Sequence, residues 1–185
     1  MVLITMLRGV NLGPHKRMKM ADLKALYETL GMTDVETLIQ SGNVVFRTKE
    51  RSAEKVAARI EKAIEERFGF TAPVVARTAA ELRTVIERNP FAGRKGIEPD
   101  KLAVHFLGGE PESAAREKLA AIPPAPEEMV LDGRELYIYF PNGMARPKLS
   151  LAQVDRVLGG RMTARNWNTV GKLLEMAERA ESAAR

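Results

Sequence analysis

Cysteine is absent from this 185-residue chain, and histidine occurs only as His15 and His105. Without thiols there is no disulfide, no thiolate nucleophile and no cysteine-based zinc site, and two distant histidines cannot make a histidine-rich metal centre. A carboxylate site for magnesium is unsignalled, so the sequence predicts neither a metal nor a cofactor. Aromatics are scarce, at 5% with Trp167 the single tryptophan, which leaves few platforms for stacking. No apolar run approaches the roughly 20 residues of a membrane helix, and MVLITMLRG is too short for a signal core and lacks a charged start. The expectation is a cytoplasmic protein with no membrane partner.

What is present is enough apolar material, 45% of residues, to bury a sizeable core as one domain or as two small ones. The net charge of +5 matters less than its placement. Residues 1–20 hold Arg8, Lys16, Arg17 and Lys19 with no acid, a formal +4. Residues 141–172 carry Arg146, Lys148, Arg156, Arg161, Arg165 and Lys172 against Asp155, a formal +5, so the rest of the chain is at −4. If the two segments converge they form one positive patch, the footprint of phosphate or nucleic acid binding. Otherwise they are separate solvated faces.

Periodicity and punctuation divide the chain into short elements. VLITMLR is a strand, followed by Gly-Pro turn chemistry in NLGPHKR. KMADLKALYETLG sets Met20, Leu23, Leu26, Tyr27 and Leu30 on one helical stripe and stops at Gly31. DVETLIQ and NVVFRT are strands joined at Ser41-Gly42, AEKVAARIEKAIEERFG is a second helix, and APVVAR a fourth strand. This βαββαβ order is the ferredoxin-like unit, four antiparallel strands with both helices on one face. A helix TAAELRTVIER follows, and FAGRKGIEPD, rich in Gly, Pro and charge, reads as a linker.

The pattern then starts again. KLAVHFL, ESAAREKLAAI, EEMVLD, RELYIYF, SLAQVDRVLGG, RMTAR and NTVGKLLEMAERAESA give strand, helix, two strands, helix, strand and helix, with PPAP a stiff loop. Placing Ala76-Arg77 on Ala164-Arg165 also matches Val74 with Met162, Leu82 with Val170, Val85 with Leu173 and Ile86 with Leu174. Two α+β, ferredoxin-like subdomains, each followed by an extra helix, are expected from a possible internal duplication. The predicted boundaries are 1–90, a linker at 91–100, and 101–185.

Three segments carry the chemistry. In RGVNLGPHKRMKMADLK a strand passes through Gly9 and Gly13-Pro14 to a helix start, so free backbone N–H groups and the cations Lys16, Arg17 and Lys19 suit an anion. It is not a P-loop, because three residues separate Gly9 from Gly13 and Pro follows. The plain alternative is a solvated turn. His15 is the one candidate acid/base, its ordinary pKa near neutrality, with no visible carboxylate or nucleophile beside it. In IQSGNVVF, Asn43 serves turn geometry or, beside the first loop, a ligand. In ARNWNTVGK, Asn168 is the predicted helix cap, with Arg165 and Asn166 just before it and Trp167 either a stacking platform or a core anchor. Alternation further sets Tyr137, Tyr139 and His105 on the helix-free face of the second sheet, a face that stacks bases in RNA-binding domains. The glycine-aromatic signature of such domains is missing, and subdomain packing is the favoured use of the face.

RGVNLG with KMADLK, QSGNVVF, and TARNWNTVGKLLEM together resemble the bacterial domain-of-unknown-function family 1697 over essentially the whole chain. The motif positions fall on Arg8, Gly9, Asn11 and Gly13, on Ser41, Gly42 and Asn43, and on Thr163, Arg165, Asn166 and Trp167. Pro14 departs from the pattern, standing where the family often has a second Gly, and stiffens the loop. The resemblance implies an α+β fold of ferredoxin-like parts and no activity.

Three functional classes follow. The first is a binding protein for a phosphate-bearing partner, nucleic acid foremost, through a cleft of Arg8, Asn11, Lys16, Arg17, Lys19, Asn43, Arg165, Asn166 and Asn168. The second is a small enzyme acting on a nucleotide or phosphorylated metabolite, with His15 as acid/base. The third is an oligomerising or regulatory scaffold without a site. The sequence sets no oligomeric state.

Overall fold

The computed structural model describes residues 1–123 and 125–183. Pro124, in the predicted stiff loop, lies outside them. The chain forms β1 (Val2–Leu7), α1 (Met20–Thr29), β2 (Thr33–Leu38), β3 (Asn43–Arg47), α2 (Ala53–Phe68), β4 (Val74–Thr78) and α3 (Ala79–Glu87). After a single 3-10 turn at Pro99–Lys101 come β5 (Leu102–Phe106), α4 (Ser113–Ala120), β6 (Glu128–Asp132), β7 (Glu135–Tyr139), α5 (Leu151–Val157), β8 (Thr163–Asn166) and α6 (Trp167–Ser182). Two antiparallel sheets result, ordered β2-β3-β1-β4 and β6-β7-β5-β8. Each is a ferredoxin-like sheet with its first and third strands at the centre, as the repeated element order predicts.

The chain divides into two compact units, one of residues 1–84 with 171–185 and one of residues 85–170. In the first unit Leu3 and Leu7 of β1, Val44 and Phe46 of β3 and Val74 of β4 point to the helices and pack with Leu23, Tyr27, Ile60 and Ile64. The phenol of Tyr27, fully buried, meets the Thr5 hydroxyl at 2.8 Å, so this buried pair satisfies itself.

Alternation turns Val2, Ile4, Met6, Val45 and Val75 to the opposite face, and they too are buried. Helix α6 meets this face through polar contacts. Arg47, which shares the face with Val2, donates to the Ala180 carbonyl, and Arg179 meets Glu36 of β2 at 2.5 Å. Arg83 of α3 forks onto one Glu178 oxygen at 2.7 and 3.1 Å. Leu173 and Ala177 are fully buried on the same helix.

In the second unit the helix-side core holds Ala103, Leu136, Ile138, Phe140, Leu149 and Val154. The register pairs His105 with Leu136 and Val104 with Tyr137. His105 therefore lies on the helix-covered face, correcting the expectation that it joins Tyr137 and Tyr139. Alternation alone sorts each strand into two sets, and only the register decides which sets share a face. The tyrosines are buried, with hydroxyls donating to the Val85 carbonyl at 2.8 Å and the Gly96 carbonyl at 3.0 Å, so neither ring is an open stacking platform. Residues 91–100 are mostly exposed but anchored at two points: Phe91 is buried, 6.0 Å from the Tyr139 ring, and Arg94 grips Glu128 through two bonds.

The buried His105 leaves its Nδ1 without a hydrogen-bond partner. Desolvation pushes its imidazole down to about 4, against a small opposing pull from Asp155. The unfolded chain takes up this proton near pH 6.5 and the folded chain only near pH 4, so stability falls as pH drops through that window. The full loss is about 3 kcal/mol. Denaturant midpoints measured from pH 7 to pH 5, above the range where most carboxylates titrate, should fall in the wild type. They should fall less steeply in His105→Leu.

Candidate functional site

The candidate site belongs to the first unit and is built by residues 8–19. This loop leaves β1 and is closed by one side chain. Asn11 sits in the left-handed region at φ 57°, from which its amide nitrogen donates to the Met18 and Gln40 carbonyls, both at 2.9 Å. Its carbonyl accepts from the Met18 amide at 2.8 Å, and its own N–H reaches the Lys16 carbonyl at 3.0 Å. An asparagine tolerates this backbone better than other non-glycine residues, and its amide both donates and accepts. One residue thus joins the ends of its own loop and ties them to the β2–β3 turn.

That turn is fitted against the loop from below. The Leu7 amide donates to the Gly42 carbonyl at 2.9 Å. Gly42 has φ 71°, and a methyl group there would come within 2.7 Å of both Leu7 Cβ and Val10 Cγ2. Asn43 is fully buried beneath, its amide donating to the Leu38 carbonyl at 3.1 Å and the Ser41 hydroxyl at 2.9 Å. It holds the turn's shape. Two of the three sequence motifs therefore meet in one structure, Arg-Gly-Val-Asn-Leu-Gly above and Ser-Gly-Asn below.

Beside this junction lies an open groove of about 570 Å³, lined by Asn11, Arg17, Met18, Lys19, Asp22, Gln40 and Phe68. Its size is in the range of small-ligand sites. Buried Met18 and half-buried Phe68 supply apolar wall, while Arg17, Lys19 and Asp22 are exposed. Lys19 is also the cap position of α1 and provides no side-chain cap, so the helix's leading N–H groups receive no such bond. Two cations, one carboxylate and a helix amino end thus share one opening.

The residues adjoining the Asn11–Gln40 bond are Leu12 and Ile39, at 73% and 57% exposure the two most exposed large apolar side chains described. Ile39 is held at φ 50°, an outlier for a β-branched residue. Such strain collects where loops serve a ligand.

Of the remaining first-unit residues, Lys16 donates its ammonium to the Thr71 carbonyl at 2.8 Å, which pins the loop to the segment before β4. Arg8 is half-buried, with its amide bonded to the Pro73 carbonyl at 2.8 Å, and His15 is exposed. Asp22, Gln40 and Phe68 escaped the sequence reading. They come from α1, the β2–β3 turn and the end of α2, and only Gln40, beside the Ser-Gly-Asn motif, had a signal that pointed to it.

Arg165, Asn166 and Asn168 belong to the second unit. Arg165 is 7% exposed and donates to the Thr163 hydroxyl at 2.8 Å and the Ala164 carbonyl at 2.7 Å. Desolvation lowers its guanidinium to about 10. Asn166, not Asn168, caps α6: its side-chain oxygen accepts from the Thr169 amide at 2.8 Å, and the helix starts at Trp167, which is half-buried. Asn168 is exposed in the first turn. The first unit repeats the device, with Thr78 and Glu81 bonding each other's amides at the start of α3. Arg77, the counterpart of Arg165, is likewise buried and donates to the carbonyl just before it, at 2.9 Å. The Ala-Arg alignment thus pairs like with like.

Fold and loop together define an α+β protein built from two ferredoxin-like sheets. Residues 1–137 match the family described as "Protein of unknown function (DUF1697)", and the chain belongs to that family. Among solved structures it is similar to the conserved bacterial protein SP0830 from Streptococcus pneumoniae, at 18% identity and a TM-score of 0.72, over 95% of this chain and 98% of that one. This likeness is one of fold. A search of curated proteins gives no match. Among the described residues no helix is long and apolar enough to cross a membrane, and no three His, Asp or Glu side chains are grouped to hold a metal.

Proposed function

We propose that this protein binds a phosphate-bearing partner, specifically a nucleic acid strand, in the groove of the first unit. The observation that carries the reading is the groove itself: Arg17 and Lys19 stand at an opening of about 570 Å³ beside a helix amino end, with Met18 and Phe68 as apolar wall. Phosphates suit the cations and the free N–H groups, while a base suits the apolar wall. The adjoining segment has no acid before Asp22, so the field at the loop is positive.

Arg165, one of the residues expected in the cleft, is unsuited to an electrostatic test because its buried guanidinium is engaged with its own strand. Arg17 takes its place. Binding of a fluorescent single-stranded oligonucleotide should weaken steeply as salt rises, and Arg17→Ala should lower the slope of log K against log salt by about 0.7 for each phosphate contact removed. Arg17 is exposed, and among the described residues it has no hydrogen bond or ion pair, so the variant should fold unchanged. Affinity that ignores salt, or no retention of the oligonucleotide, would remove the proposal.

A further inference from the structure

Resting on that reading, we infer that Asp22 makes the groove selective for ribose, so that the strand it takes is RNA rather than DNA. A groove shaped for phosphate alone has no use for a carboxylate, which repels the ligand it should attract. Asp22 nonetheless lines the opening together with Arg17 and Lys19. It is exposed, and among the described residues no hydrogen bond or ion pair engages it. Neither cation neutralises it, and its acceptor oxygens remain open to the groove.

Toward a nucleotide a carboxylate can only accept, from a base N–H or from a sugar hydroxyl, and only the second differs between RNA and DNA of one sequence. The ribose 2′-OH is a donor that deoxyribose lacks, and an acidic side chain beside a phosphate-binding helix start can read it. Lys19 and Asp22 lie three residues apart at the first turn of α1, one at the cap and one a turn further in, so a phosphate at the amino end brings its sugar past the carboxylate. Phe68, packed on the core with the Arg67 guanidinium 5.9 Å from its ring centroid, gives the base an apolar wall rather than an open ring face. The first turn of a helix also favours an acid on its own account, and that alternative predicts no discrimination between sugars.

The test compares fluorescein-labelled RNA and DNA oligonucleotides of one matched sequence drawn from A, C and G, by anisotropy, for the wild type, Asp22→Ala and Arg17→Ala. The wild type should bind RNA about tenfold more tightly than DNA, the scale of one hydrogen bond to a charged group. In Asp22→Ala the ratio should collapse to about one, chiefly because DNA binds better once the repulsion is gone. Arg17→Ala should weaken both strands and leave the ratio intact. Equal, salt-sensitive binding of RNA and DNA by the wild type would overturn this inference and leave the proposed function standing. An unchanged ratio in Asp22→Ala would do the same. Retention of neither strand would overturn both.

Discussion

Replacing Gly42 by alanine should lower the stability of the first unit by about 3 kcal/mol and abolish the binding proposed for the groove. The added methyl lands 2.7 Å from Leu7 Cβ and from Val10 Cγ2. Leu7 Cβ sits on the central strand of the sheet and cannot swing aside, so either the turn or the strand must move. Gln40, two residues back, carries the carbonyl that receives Asn11, and moving the turn therefore opens the loop. Gly31→Ala is the matched control. Gly31 has a similar φ of 76°, with nothing within 4 Å of an added methyl. It should cost only the left-handed backbone preference, about 1 kcal/mol. Chemical denaturation of the two variants separates conformational strain from collision, and equal losses would show that the contact with Leu7 and Val10 is not what matters.

A chain ended after Val170 should lose the folded first unit altogether. The lost segment includes Leu173 and Ala177, both fully buried, the carbonyl that receives Arg47, and the partners of Glu36 and Arg83. The face that α6 meets carries the buried Val2, Ile4, Met6, Val45 and Val75. Burial of such side chains is worth about 2 kcal/mol each. The total exceeds about 5 kcal/mol, comparable with the whole stability of a small domain. Circular dichroism melting and binding of a hydrophobic dye would report the change. A truncated chain that melts at the full-length temperature would show that α6 is not the cover of that face.

The order of elements was legible because each strand or helix is short, periodic and punctuated. Gly31 and Gly69 end α1 and α2, and the Ala-Arg pair marks the same place in both halves. What sequence could not supply was register and long-range pairing. The face of His105 depends on its meeting Leu136 rather than Tyr137. The cap of α6 depends on which of two nearby asparagines reaches an amide, and the geometry selects Asn166. The groove was half legible: Asn11, Arg17 and Lys19 stood out in the first loop, but Asp22 resembled an ordinary helix-start acid and Phe68 an ordinary helical apolar residue. The bond between Arg179 and Glu36 spans 143 residues, a distance over which local patterns carry no information.

The first sheet is completed by the last helix, and this sets an order of events during synthesis. Strands β1 to β4 leave the ribosome early, yet the segment that meets their second face follows some 90 residues after β4 ends. At the usual rates of translation that is a delay of roughly 5–20 s. For that interval the nascent chain displays an apolar sheet face, while every element of the second unit is made and can fold before α6 is finished. The N-terminal half is thus the last to mature, and chaperone dependence should be greatest before α6 emerges.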